Sequence, residues 1–268
     1  MQKKSYFCSD FGKIMEKISK AQIKLVRSLQ QKKFRDELGL FVAEGDKCVS
    51  ELTKSFELVH LYREGENASR TEIEQMSGLR TPQGVIAVFR KKPIEDLRLK
   101  IEDLRFQISN LTLALDGIQD PGNLGTIIRT CDWFGVHDIV CSLDTADCYN
   151  PKVVQATMGA LARVRVHYVD LPKWLKEQQK PIIGTLLEGR DMYEELSNLQ
   201  TLKPSNNAVI VMGNEGNGIS QEVRKLITHP IRIPSYPKNA ETSESLNVSI
   251  ATAIVLAEFR RSIGSTPA

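Results

Sequence analysis

The chain has 268 residues, 41% of them hydrophobic and 26% charged, with a net charge of +3. This is ordinary globular composition, long enough for two domains with a sizeable core. No apolar run reaches the roughly 18 residues of a membrane span, and the N-terminal MQKKSYFCSDFGK carries charge without the apolar stretch of a signal peptide.

The five cysteines show no metal-ligand spacing, and an odd number without a secretory signal reads as reduced thiols of a cytoplasmic protein. Cys131 and Cys141 lie in apolar segments and are expected as small core residues. The charge is unevenly placed. Met1 to Arg35 holds ten basic residues against only Asp10 and Glu16, a local +8 that leaves −5 for the remainder. A basic arm on a near-neutral body points to a polyanion partner, and its alternative is a solvated helix face.

In chain order, the basic helix is followed by a short strand at Leu40–Ala43 and a helix at Asp46–Lys54. A strand at "ELVHLYRE", a helix at "TEIEQMSG" and a strand at "GVIAVFR" complete a compact αβ unit ending near Lys92. Residues 93–108, charged and with one proline, read as a linker. From 109 to 268 strands and helices alternate. Strands are expected at Leu111–Asp116, Asp138–Leu143, Val164–Val169, Pro181–Leu187, Ala208–Gly213 and Ile231–Ile233. Helices are expected at Gly122–Phe134, Pro151–Leu161, Pro172–Gln179, Ser220–Thr228 and Ser245–Ser262. Apolar strands separated by helices predict a parallel sheet covered on both faces.

In such a sheet ligands bind beyond the carboxyl ends of the strands. Three polar loops lie there. Asp116–Asn123 leads into a helix that carries Arg129. Val209–Ser220, "VIVMGNEGNGIS", breaks into a glycine-rich turn that is neither a Walker loop nor G-x-G-x-x-G. Its glycines suit close backbone approach to a flat ligand, and Glu215 puts a carboxylate at a strand end. Arg232–Ser249 crowds Glu244, Ser245, Asn247 and Ser249 around the start of an apolar helix, more polar groups than capping needs.

Together these residues resemble the SpoU–TrmH family of RNA ribose 2′-O-methyltransferases, in the SPOUT superfamily. The first motif is matched by "NLGTIIRTCDWFG", with Asn123, Gly125, Arg129 and Phe134-Gly135. The second is matched by "VMGNEGNGIS" and the third by "IPSYP…SESLNVSIATAIVLAEF". The N-terminal "LFVAEG" and "TPQGVIAVF" resemble the L30e-like substrate-binding domain of ribosomal-RNA methylases. The resemblance implies an α/β SPOUT domain with a deep trefoil knot, S-adenosylmethionine (AdoMet) bound in that knot, and a homodimer through the knotted domain. Relatives have a shorter, glycine-containing segment where this chain has Ser235–Ser243.

The resemblance further implies catalytic roles for Asn123, Arg129, Glu215, Ser245 and Asn247, and AdoMet contacts at Leu186, Gly213, Gly216, Ile233 and Leu246. A ribose hydroxyl is a poor nucleophile at neutral pH, and a guanidinium supplies a fixed cation beside the developing alkoxide. No metal is required, because the methyl group leaves a sulfonium. Lys24, Arg27, Lys32, Lys33 and Arg35 are expected to contact RNA phosphates. The expected substrate is 23S ribosomal RNA. A transfer-RNA methyltransferase and a non-catalytic RNA-binding assembly factor are the alternatives.

Overall fold

The structure is a computed structural model describing residues 18–92, 111–198, 207–237, 243 and 245–263. The expected linker at 93–108, Lys3, Lys4, Lys13, Lys17 and Glu244 lie outside the described residues.

The basic segment is two helices, not one: α1 (Lys20–Ser28) and α2 (Lys32–Leu38). Ser19 and Gln22 form a capping box at the start of α1. Its end is set by Arg35, which sits in α2 and is 1% exposed. The Arg35 Nη1 donates to the carbonyls of Leu29 and Gln30, each at 3.0 Å. Helix ends leave such carbonyls without partners, and here a guanidinium supplies the donors. The other side of that guanidinium donates to Asp147 Oδ2 at 2.7 and 3.1 Å. Arg35 is therefore an internal clamp, and its expected role as a phosphate contact is corrected.

A small antiparallel sheet follows, in the order β1 (Leu40–Glu44), β3 (Val85–Arg90), β2 (Leu58–Arg63). Helices α3 (Asp46–Leu52) and α4 (Arg70–Met76) accompany it.

The second sheet has six parallel strands: β4 (Leu111–Asp116), β5 (Asp138–Ser142), β6 (Arg165–Val169), β7 (Ile182–Asp191), β8 (Ala208–Gly213) and β9 (His229–Arg232). Their spatial order is β6-β5-β4-β8-β7-β9. Alternate residues of the strands serve opposite faces. Leu113, Leu115, Ile139, Cys141, Ile210 and Met212 join the core under α5 (Pro121–Trp133) and α10 (Val248–Ile263). Ala114, Val140, Val209 and Val211 face Trp174, Leu175 and Val223. Those three come from α7 (Leu171–Lys176) and α9 (Gln221–Arg224) on the other side. The chain runs outward from β4 in one direction and returns on the other side of it, so the β4–β8 border is the topological switch point where such sheets bind ligands.

Several elements depart from the sequence pattern for local reasons. α6 (Pro151–Thr157) stops short because Met158 and Gly159 take φ of 51° and 91°. α9 is one turn only, since the Thr228 backbone N–H donates to Ile182 O and pulls the chain into β9. α8 (Met192–Asn198) was not expected. Met192 and Leu196, one turn apart, are its buried anchors in an otherwise polar stretch.

The two sheets do not have separate cores. Phe41, Leu52 and Phe89 share one buried cluster with Leu124, Val153 and Val154. Ser55 Oγ donates to Ala162 O at 2.8 Å, and Arg163 bridges Glu51 and Asp132. The basic helices thus stand in a fixed relation to the parallel sheet.

Candidate functional site

Three loops meet at the carboxyl end of the sheet. Asp120 caps α5 by accepting from Asn123 N at 2.8 Å, with Pro121 in the first helical turn. That cap turns the Asn123 side chain toward the β8 loop, where Nδ2 donates to Glu215 Oε1. Asn247 arrives from the third loop. Its Oδ1 caps α10, accepting from Ser249 N at 3.0 Å and from Ser249 Oγ at 2.6 Å. Its Nδ2 donates to Asn123 Oδ1 at 3.0 Å and to Glu215 Oε1 at 3.2 Å. Asn123, Glu215 and Asn247, up to 124 positions apart, form one triangle. Glu215 lies on the rim of a cleft of about 930 Å³ beside this triangle. The same cleft is lined by Leu186, Gly213, Gly216, Ile233, Ser245 and Leu246.

Gly213 acts differently from the expectation. A Cβ there would lie 2.4 Å from Gly218 C and Ile219 N, so the space is taken by the protein's own backbone and not left for a ligand. The loop closes on itself, with Asn214 and Gly218 exchanging backbone hydrogen bonds of 2.9 Å.

Arg129 is not part of the triangle. Six residues beyond Asn123, it lies about 9 Å further along α5 and about 120° around it. It is exposed, on a stripe with Gly122, Thr126 and Trp133, and makes no hydrogen bond or ion pair with a described residue. On α1 and α2, Lys24, Arg27, Lys32 and Lys33 are exposed, and Lys32 pairs with Asp36 at 3.2 Å.

Sequence reasoning missed Asn214, which organises the cleft. Its Nδ2 donates to Gly117 O at 2.7 Å, and its Oδ1 accepts from Gly216 N and Asn217 N at 2.9 and 3.0 Å. An asparagine two residues before a glycine is the signal that marks it. Asp116 was also missed; its Oδ2 accepts from Ser220 N at 2.7 Å and ties β4 to the far end of the same loop. At the mouth of the cleft Arg224 pairs with Glu188, beside Asp191 and Glu194.

Comparison with known proteins agrees with this geometry. The sequence model of the SpoU rRNA Methylase family matches residues 110–257, and that of the MRM3-like substrate binding domain matches residues 20–68. The 23S rRNA (guanosine(2553)-2′-O)-methyltransferase RlmP of Bacillus subtilis is 27% identical over 266 residues, covering 92% of this chain and 99% of that protein. A putative RNA methyltransferase of the TrmH family from Porphyromonas gingivalis superposes with a TM-score of 0.78 at 35% identity, covering 92% of this chain and 99% of the other. The AdoMet-bound rRNA methyltransferase of Sinorhizobium meliloti superposes with a TM-score of 0.75 at 29% identity, over 91% of this chain and 95% of the other. The family match spans more than half of the chain and contains Asn123, Glu215 and Asn247, which meet beside the cleft, so this protein belongs to the SpoU rRNA methylase family.

Proposed function

We propose that this chain transfers the methyl group of AdoMet to a ribose 2′-hydroxyl of ribosomal RNA. The observation that carries the reading is the convergence of Asn123 and Asn247 on Glu215, which lines the large cleft.

The cleft suits AdoMet. Its volume lies within the range of about 300–1,000 Å³ of small-molecule sites. Leu186, Ile233 and Leu246 offer apolar walls to an adenine ring, and the carboxylates of Asp191 and Glu194 in the same lining suit a cationic ligand. Backbone groups at Leu186, Gly213, Ile233 and Leu246 would hold it, with Gly216 and Ser245 on the catalytic side. When bound, AdoMet supplies an electrophilic methyl group on a sulfonium.

The residues of the chain then act on the ribose. Glu215 is held through Oε1 by two amide donors. Its other oxygen makes no hydrogen bond with a described residue and is free to orient a hydroxyl. Asn123 and Asn247 fix that carboxylate in place. By its position in the family motif Arg129, which stands apart from the triangle within the chain, is the cation that would steady the developing alkoxide, an effect worth about 3–4 kcal/mol for a well-aimed donor. Arginine keeps its proton, since its reference pKa is above ~12, so the hydroxyl proton passes to a phosphate oxygen of the RNA beside Arg129.

RNA phosphates dock on Lys24, Arg27, Lys32 and Lys33 of the small domain, residues 1–92. Ribosomal RNA is the substrate named for the relatives. A homodimer through the larger domain accounts for Trp133, 85% exposed, and Ile250, 54% exposed, on the packed pair α5 and α10.

The test maps 2′-O-methyl groups across ribosomal RNA from a strain lacking the gene, before and after incubation with enzyme and AdoMet. One or a few new ribose methyl groups are expected. Methylation confined to bases, or to transfer RNA, rejects the reading.

A further inference from the structure

A second cavity, of about 230 Å³, lies at the seam between the two sheets, away from the large cleft. This is below the size of a site for a whole small-molecule ligand, about 300 Å³ upward, and fits a fragment such as a heterocyclic base. Its walls come from both halves of the molecule. Gln30, Glu44 and Leu79 belong to the small domain, and Asn150, Lys152 and Gln155 to the larger one. Pro121 forms part of the lip. Pro121 and Asn123 are two residues apart at the start of α5, about 3 Å along its axis and about 200° around it, so the cavity and the triangle of Asn123, Glu215 and Asn247 lie on different sides of one helix end.

Its chemistry is that of a base-edge reader. Gln30 Nε2 is enclosed and has no hydrogen-bond partner among the described residues. The Gln30 amide is confined by Gly78, where a Cβ would lie 2.7 Å from Oε1. Buried donors are normally paired, so the cavity wall holds a donor whose hydrogen bond is unused. Glu44 is 5% exposed and fixed by Ser77 Oγ at 2.5 Å and Gly78 N at 2.8 Å, which leaves further lone pairs on both oxygens. Lys152 is exposed at the rim and pairs with no described carboxylate. Leu79 and the rings of Pro121 and Pro151 give flat apolar walls. Donors, acceptors and an apolar slot together are what proteins use to hold an unstacked base of single-stranded RNA. The clamp of Arg35 on Asp147 and the shared core keep both walls in register.

We propose that this seam cavity takes one unstacked nucleobase of the substrate RNA, from a nucleotide other than the one whose ribose is methylated, and so contributes to the choice of site. The inference rests on the methyltransferase reading above. The role is one of positioning, since these residues read a base and do not touch the reacting oxygen.

The experiment has two arms, both on the full chain. In the first, isotope-labelled protein is titrated separately with AMP, GMP, CMP and UMP and followed by backbone NMR. At least one nucleotide is expected to shift the amides of Gly78, Leu79 and Gln155. The variant Gln155→Trp fills the cavity and should weaken that binding about tenfold, the loss one base contact commonly carries. Its AdoMet affinity and melting temperature should match the wild type. The milder Lys152→Ala should act in the same direction. No shifts at these amides in the wild type, or equal shifts in Gln155→Trp, overturn the proposal. The second arm measures transfer into ribosomal RNA that lacks the modification. There Gln155→Trp should raise KM for RNA about tenfold with kcat nearly kept, and unchanged kcat/KM overturns the proposal. If the wild type methylates no ribosomal RNA, the substrate reading fails and the nucleotide titration alone decides the cavity.

Discussion

Replacing Arg35 with leucine separates an internal clamp from an RNA contact. The side chain is 2% exposed and its partner Asp147 12% exposed. Leucine removes both bonds to Asp147 and both bonds to the carbonyls of Leu29 and Gln30. Breaking a buried ion pair from one side costs about 3–5 kcal/mol. Asp147 retains some water and its bond from Tyr149 N at 2.9 Å, which places the expected loss toward the lower end. We expect about 3–4 kcal/mol, or about 6–15 °C in Tm for a chain of this size. The assay is calorimetry or denaturant unfolding of Arg35→Leu, Asp147→Asn and the double variant. The double variant should cost less than the summed singles, with a coupling of about 1–3 kcal/mol. RNA binding of Arg35→Leu well below its Tm should keep the wild-type slope of log K against log salt. A Tm within 2 °C of wild type, or a salt slope reduced by about 0.7–0.9, the share of one phosphate contact, would refute the clamp.

The exposed cations should behave in the opposite way: neutralising Lys24, Arg27 and Lys33 together should flatten the salt slope by about 2–3 while Tm holds, as read by fluorescence titration at several salt concentrations. Arg129→Ala should abolish most methyl transfer with calorimetric AdoMet affinity kept, and Arg129→Lys should rescue little, because a point charge does not reproduce the guanidinium fork; a turnover near wild type in the alanine variant removes Arg129 from the reaction. Gly213→Val should weaken AdoMet binding by forcing a side chain into the Gly218–Ile219 backbone, so protease sensitivity of the loop should rise in parallel; retained affinity with an intact loop refutes the packing argument. Burial pushes the thiol of Cys48 up to about 11 and that of Cys148 up to about 12. Since the folded state holds these protons longer than the unfolded one, their stability contribution is whole below the unfolded pKa of about 8.5 and is lost as pH rises through the folded values. The free energy of unfolding from denaturant titration should therefore fall from pH 9 to 11, by up to about 1.4 kcal/mol per pH unit for each buried thiol, and less steeply in Cys148→Ala.

The alternation of apolar strands and helices from Leu111 onward is local information, carried by period and by punctuation such as Asp120-Pro121 and Asn150-Pro151. It determined the parallel sheet and the three polar loops at its carboxyl end. Composition likewise determined that the first 35 residues carry a positive field. Tertiary structure alone decided which cations face water. Lys33 and Arg35 are two positions apart in one basic run, yet a helix turns successive residues about 100° apart, and only the arrival of Asp147 and of the carbonyls ending α1 draws Arg35 inward. The same holds for the site. Asn123, Glu215 and Asn247 were each conspicuous in the chain, but their shared hydrogen bonds arise from strand order, which brings the ends of β4 and β8 side by side. The reason Gly213 is glycine, and the seam cavity between Gln30 and Gln155, are also relations between distant segments. No periodicity encodes them, because each depends on two surfaces whose apposition is set by the packing of the whole core.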